Sequence, residues 1–143
     1  MRFENTVVIE RPPAEVFEFL ADFENVPRWN YAIESTRKTS DGPVRVGTTY
    51  RQVRTIPSRS EESLEVTELE PDRRLAVRGD LGPLHGTLTY ELEETGGATR
   101  LVNTADLEAQ GVMRLAAPLA AGRVREAVAA NLGELKRLLE SGP

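Results

Sequence analysis

Along residues 2–10 (RFENTVVIE) apolar and polar positions alternate, and Phe3, Asn5, Val7 and Ile9 share one face. A period of two predicts a β-strand. Pro12-Pro13 ends it, and proline suits the first turn of a helix, where its missing N–H has no partner to lose. Glu15 and Glu18 then fall at the positive end of that helix. Val16, Leu20 and Phe23, at i, i+4 and i+7, predict a buried stripe over 13–24. Pro27 forbids a simple continuation, so a second short helical turn leads to Trp29. From 32 to about 109 the pattern is strand and turn, with strands expected at 32–39, 47–56, 60–70, 73–79, 84–94 and 98–109. The turn signals are Asp41-Gly42-Pro43, Ile56-Pro57-Ser58, Glu70-Pro71-Asp72, Gly79 to Pro83, and Gly96-Gly97. Connections this short imply antiparallel neighbours. Over 111–140 the period becomes helical. Ala117, Ala121, Val124, Val128, Leu132, Leu135 and Leu139 recur at spacings of three or four, and Pro118 should start or kink the helix. These elements predict one α+β domain over 1–143. Its seven-stranded curved antiparallel sheet wraps around a long C-terminal helix, with two short helices between strands 1 and 2.

A chain of 143 residues can bury a core without disulfides, and it has no cysteine to form them. Its net charge of -5 argues against a dedicated nucleic-acid binder, which shows a basic face. Sixteen arginines against two lysines read as the codon bias of a GC-rich genome. The opening MRFENTVVIE does not read as a signal peptide, and no apolar run approaches the ~20 residues of a membrane span. A cytoplasmic monomer or homodimer is the expectation.

Metal chemistry needs converging ligands, and one histidine without cysteine or an Asp-rich loop supplies none, so no metal and no cofactor are expected. His85 alternates with Leu84, Gly86, Leu88, Tyr90 and Leu92, which places it on the outer, wet face. The serines of TIPSRSEES (55–63) have no histidine nearby in sequence, and the scattered glycines form no phosphate-cradling loop.

The candidate site residues are polar groups on inward strand positions and aromatics near them. Alternation places Tyr50, Gln52 and Arg54 on one face, and Asn103 with Leu101, Ala105 and Leu107. A buried polar group without a partner costs about 1–3 kcal/mol, so such positions call for a partner, a water or a ligand. Five of eight aromatic residues lie within 17–31: Phe17, Phe19, Phe23, Trp29 and Tyr31. The helix stripe is thin at Ala117 and Ala121 and thick from Val128 onward. A void of about 300 Å³ under the thin half would cost about 7 kcal/mol if left empty. Phe19, Phe23, Trp29 and Tyr31 can close that end, or the space serves a ligand. A pocket there is expected, walled by Phe19, Trp29, Tyr50, Asn103, Met113, Ala117 and Ala121, with Arg54 as polar anchor.

VVIERPPAEVFEFLADFENVPRWN (7–30), LEVTELEPDRRLAVR (64–78), TLTYELEETGGATRLVN (87–103) and NLGELKRLLE (131–140) together resemble the helix-grip superfamily. That group includes START lipid-transfer domains, birch-pollen-allergen-like proteins and bacterial polyketide cyclase/dehydrase-like proteins, also called SRPBCC proteins. The resemblance spans the chain and implies the fold. For function it implies a carrier of a hydrophobic or aromatic small molecule, lipid or polyketide-like, held between sheet and helix. It equally allows an aromatase/cyclase in which Tyr50, Arg54 or Asn103 polarises a carbonyl. A surface-acting interaction module, similar to ribosome-association toxins or quinone-binding chaperones, is a third possibility. Fold alone does not choose among them.

Overall fold

The computed structural model describes residues 1–109 and 113–142, with the backbone alone for 113–120. The elements run β1 (Arg2–Ile9), α1 (Pro13–Ala21), a 3-10 helix (Phe23–Arg28), β2 (Ile33–Lys38), β3 (Thr49–Arg54), β4 (Ser60–Glu70), β5 (Arg74–Leu81), β6 (Leu84–Thr95), β7 (Ala98–Ala109) and α2 (Met113–Ser141). One antiparallel sheet has the order β1-β7-β6-β5-β4-β3-β2. Strands 2 to 7 form a meander, and β1 returns beside β7. The expected seven strands, their curvature around the C-terminal helix and the two short helices are all present. Two expectations shift. The 13–24 helix stops at Ala21, and the Asp22 carboxylate caps the 3-10 helix by accepting from Glu24 N at 3.1 Å. Gly79 is not a turn residue: β5 continues to Leu81, and only Gly82-Pro83 turns the chain.

Gly79 and Gly86 sit opposite one another on β5 and β6. A Cβ on Gly79 would collide with the Ser63 carbonyl oxygen, and one on Gly86 with that of Asp106. Neighbouring backbone therefore occupies the space a side chain needs, which identifies a close approach rather than a loop.

The core lies on the inner face. Val16, Leu20 and Phe23 are buried as their spacing predicts, and Leu132, Leu135 and Leu139 of α2 are buried with them. Val128 and Val124 are half-buried one and two turns earlier. The helix runs along β1 and β7, while the 3-10 helix covers β2. The C-terminal end of α2 is clasped to the end of β1. Glu140 accepts from Glu10 N and Lys136 Nζ at 2.7 Å each, Lys136 Nζ also donates to Val8 O at 2.6 Å, and Arg11 donates to the Glu140 carbonyl. Lys136 first, and then the Glu10 amide, hold the Glu140 carboxyl below its ordinary pKa. At the opposite edge Glu24 accepts from Lys38 N at 3.1 Å.

The glycine pair gives the first test. Gly79→Ala and Gly86→Ala should each lower unfolding free energy by about 2–3 kcal/mol in urea titrations, the range for overpacking an interior. Gly133→Ala, on an exposed helix face with nothing within 4 Å of the new methyl, should raise it by about 0.5–1 kcal/mol.

Candidate functional site

The aromatic run divides on folding. Phe17, Phe23 and Trp29 are buried, and Phe19 is half-buried with the Arg28 guanidinium 5.0 Å from its ring centroid. Tyr31 is 61% exposed and closes nothing. The reason is local. Asn30 Oδ1 accepts from Ala32 N at 3.0 Å, and the chain turns into β2 with Ala32 and Ile33 inward, which leaves Tyr31 outside. Trp29 closes the 3-10 helix through its N–H to Val26 O at 3.0 Å, and its indole enters the main apolar cluster.

Phe23 links the two inward tyrosines. Its ring centroid lies 5.6 Å from Tyr50 in a tilted contact and 6.5 Å from Tyr90 edge-on. Tyr90 in turn lies directly opposite Asn103 in the β6–β7 register, so Tyr50, Phe23, Tyr90 and Asn103 form a chain across the interior from β3 to β7. Four buried side-chain atoms along this interior have no hydrogen-bond partner among the described residues: Trp29 Nε1, the Tyr50 hydroxyl, Asn103 Oδ1 and Asn131 Oδ1. Asn103 donates its amide N–H to Thr89 O at 3.2 Å, which orients Oδ1 as the open acceptor. Burial, and after it the Asp22 and Glu24 carboxylates, push the Tyr50 pKa up to about 12 against the opposing effect of the Phe23 backbone. Burial raises Tyr90 further. Both stay protonated near neutrality, so Tyr50 can donate a hydrogen bond but is no base.

Arg54 points inward as alternation predicts, but it already has a partner. Its Nε donates to Glu62 Oε2 at 2.6 Å, and Glu62 is buried. Gln52 Nε2 donates to the other carboxylate oxygen at 2.8 Å, and the Gly82 amide also donates to Glu62. This knot ties β3 and β4 to the β5–β6 turn, with the Arg54 charge balanced. Glu62 escaped the reading of the sequence, although counting back through the 57–59 turn places it opposite Gln52. Asn131 escaped it too, because attention to leucines hid a polar residue on the Val128–Leu135 stripe.

The inner face carries two apolar clusters. The larger holds Val7, Tyr90, Leu101 and Val128; the smaller holds Phe3, Leu84, Ala105, Leu107 and Val124. Asn5 and Asn103, paired on β1 and β7, lie between them. Asn5 Nδ2 donates to Arg125 O of the helix at 3.2 Å. Asn103 thus sits at a seam beneath the helix, and half-buried Ala121 lies one turn before Arg125. The side chains of Met113 and Ala117 lie outside the described residues.

The outer face is different in kind. Arg74 bridges Glu68 and Glu91, and Arg2 meets Asp106, around an open recess of about 500 Å³. These exposed pairs read as a solvated surface. His85 lies there as expected, its side chain 45% exposed, with Nδ1 3.0 Å from Asp80 Oδ1. Among the described residues no cluster of His, Cys, Asp or Glu could hold a metal ion, and no helix is long and apolar enough to cross a membrane.

The profile of a family described as "Polyketide cyclase / dehydrase and lipid transport" matches residues 1–140. Comparison with curated protein sequences finds no match. Among solved structures, a protein from Thermus thermophilus superposes with a TM-score of 0.77 at 19% identity, over 100% of both chains. The Zhui aromatase/cyclase from a Streptomyces species gives 0.76 at 20% identity, over 96% of this chain and 94% of its own. The di-domain ARO/CYC StfQ of steffimycin biosynthesis gives 0.77 at 13% identity, over 98% of this chain and 50% of its own. At these identities the likeness is one of fold.

Two outcomes test this interior. Tyr50→Phe removes a hydroxyl that the Phe23 backbone approaches without a well-formed hydrogen bond, so the ligand-free protein should keep its stability to within about 1 kcal/mol. The folded Tyr50 keeps its proton above the ordinary value of 10.0, to about 12, so its contribution is complete below pH 10 and is lost as pH rises through 12. Tyr50→Phe should therefore flatten the alkaline fall in urea-measured stability. Arg54→Met should cost about 3 kcal/mol by stranding the buried Glu62 carboxylate, and adding Glu62→Met should recover most of that loss.

Proposed function

The chain belongs to the polyketide cyclase/dehydrase and lipid-transport family, and from that premise we propose that it binds a hydrophobic or aromatic small molecule between the inner face of the sheet and α2. One observation carries this reading. Four buried polar atoms, on Trp29, Tyr50, Asn103 and Asn131, have no partner among the described residues, whereas the buried Glu62 carboxylate is fully engaged by Arg54, Gln52 and the Gly82 amide. Leaving each unmade costs about 1–3 kcal/mol. A bound molecule offering complementary groups offsets that cost, whereas a purely structural core gains nothing from it.

A second reading, cyclisation of a bound polyketide, draws on the two aromatase/cyclase neighbours. The groups turned inward limit it. Trp29 and Tyr50 are hydrogen-bond donors able to polarise a carbonyl, while the histidine lies on the outer face. Binding and orientation account for these groups without a proton-abstracting partner, and binding is therefore the function assigned.

Native mass spectrometry of freshly purified protein should reveal a co-purifying small molecule released on denaturation. A flat apolar ligand should also quench the fluorescence of Trp29, the single tryptophan. Ala121→Trp should abolish binding of that ligand in isothermal titration while circular dichroism stays unchanged. Unaltered ligand binding by the Ala121→Trp protein would remove the site from beneath this part of the helix.

A further inference from the structure

We propose that the interior selects a neutral ligand that donates a hydroxyl hydrogen to Asn103, and rejects carboxylates. The inference rests on the interior-binding reading above and adds the chemistry of the ligand's polar end.

Two independent features carry it. The first is the state of Asn103. It is fully buried on β7, one N–H of its amide is committed to Thr89 O, and its Oδ1 has no partner among the described residues. An amide held this way fixes Oδ1 as an open acceptor and keeps one N–H beside it. It lies at the seam where the larger apolar cluster, ending at Leu101, gives way to the smaller one, beginning at Ala105. On the sheet Tyr90 lies directly opposite Asn103, and Ala105 follows two residues on along β7. A group arriving from the helix side meets an oxygen that wants a proton donor.

The second is charge. Among the described residues Glu62 is the only charged side chain in the buried set, and Arg54 already neutralises it at 2.6 Å. The other buried polar side chains are Thr48, Gln52, Thr99, Asn103, Thr104 and Asn131, all neutral. A carboxylate brought to Asn103 Oδ1 would face another acceptor and, among the described buried side chains, no free counter-charge, and a desolvated unpaired charge is strongly disfavoured. A hydroxyl matches on both counts. It gives its proton to Asn103 Oδ1 and can accept in return from the remaining N–H of the same amide. Arg54 is thus a structural partner of Glu62 and not the anchor of a ligand acid.

The test is isothermal titration of the full chain with three matched probes: 2-naphthol, 2-methoxynaphthalene and 2-naphthoate. The expected order is naphthol about tenfold tighter than the methyl ether, the effect of one made hydrogen bond, with naphthoate weakest. In Asn103→Ala the naphthol preference over the methyl ether should collapse to about one, while the ether binds as before. The wild-type series decides even if that variant fails to fold. Equal affinity for naphthol and its ether, or tighter binding of naphthoate, overturns the selectivity and leaves the binding site standing. A naphthol preference that survives in folded Asn103→Ala also overturns it. If none of the three probes binds, the binding reading itself falls and the selectivity with it.

Discussion

The burial of Leu132, Leu135 and Leu139 against the inner face of the sheet is the contact on which the rest depends. Each fully buried leucine is worth about 1.5–3 kcal/mol, so the three together supply roughly 5–9 kcal/mol, comparable to the whole stability of a domain. The clasp of Lys136, Glu140 and Arg11 with the end of β1 fixes the register of that packing. With one end of the helix held this firmly, the other end is released from the duty of filling the core. Half-buried Ala121, toward that end, is a small residue the fold can tolerate.

A similar division of labour governs the polar interior. Glu62 gathers Arg54, Gln52 and the Gly82 amide into a closed set with its charge matched. Trp29, Tyr50, Asn103 and Asn131 form the open set. Closed networks rigidify a structure; half-made ones are costly unless something completes them. The first set belongs to the scaffold, and the second gives the interior its chemistry.

Most of the architecture was legible in the sequence because it rests on periodicity. Alternation placed Phe3, Asn5, Val7 and Ile9 on one face, and put Tyr50, Gln52 and Arg54 inward. The helix leucines announced the grip. What periodicity could not supply was pairing across strands. Glu62 looked like one more acidic residue until the β3–β4 register set it against Gln52. Gly79 looked like a turn because glycine near proline usually is one, whereas here it marks backbone pressed against backbone. Tyr31 belonged to an aromatic run whose members separate only when the 3-10 helix turns the chain outward.

The capped rims of the sheet have a consequence for life at high concentration. A seven-stranded open sheet has two lateral strands, each with unpaired backbone groups that invite another chain to add itself, the first step toward polymers and cross-β aggregates. Here Lys136 occupies the Val8 carbonyl and Glu140 the Glu10 amide at one rim, and Glu24 takes the Lys38 amide at the other. Three side chains from the helices thus act as chaperones in cis. Each occupies a backbone group at a margin of the sheet that an added strand would otherwise have to pair with.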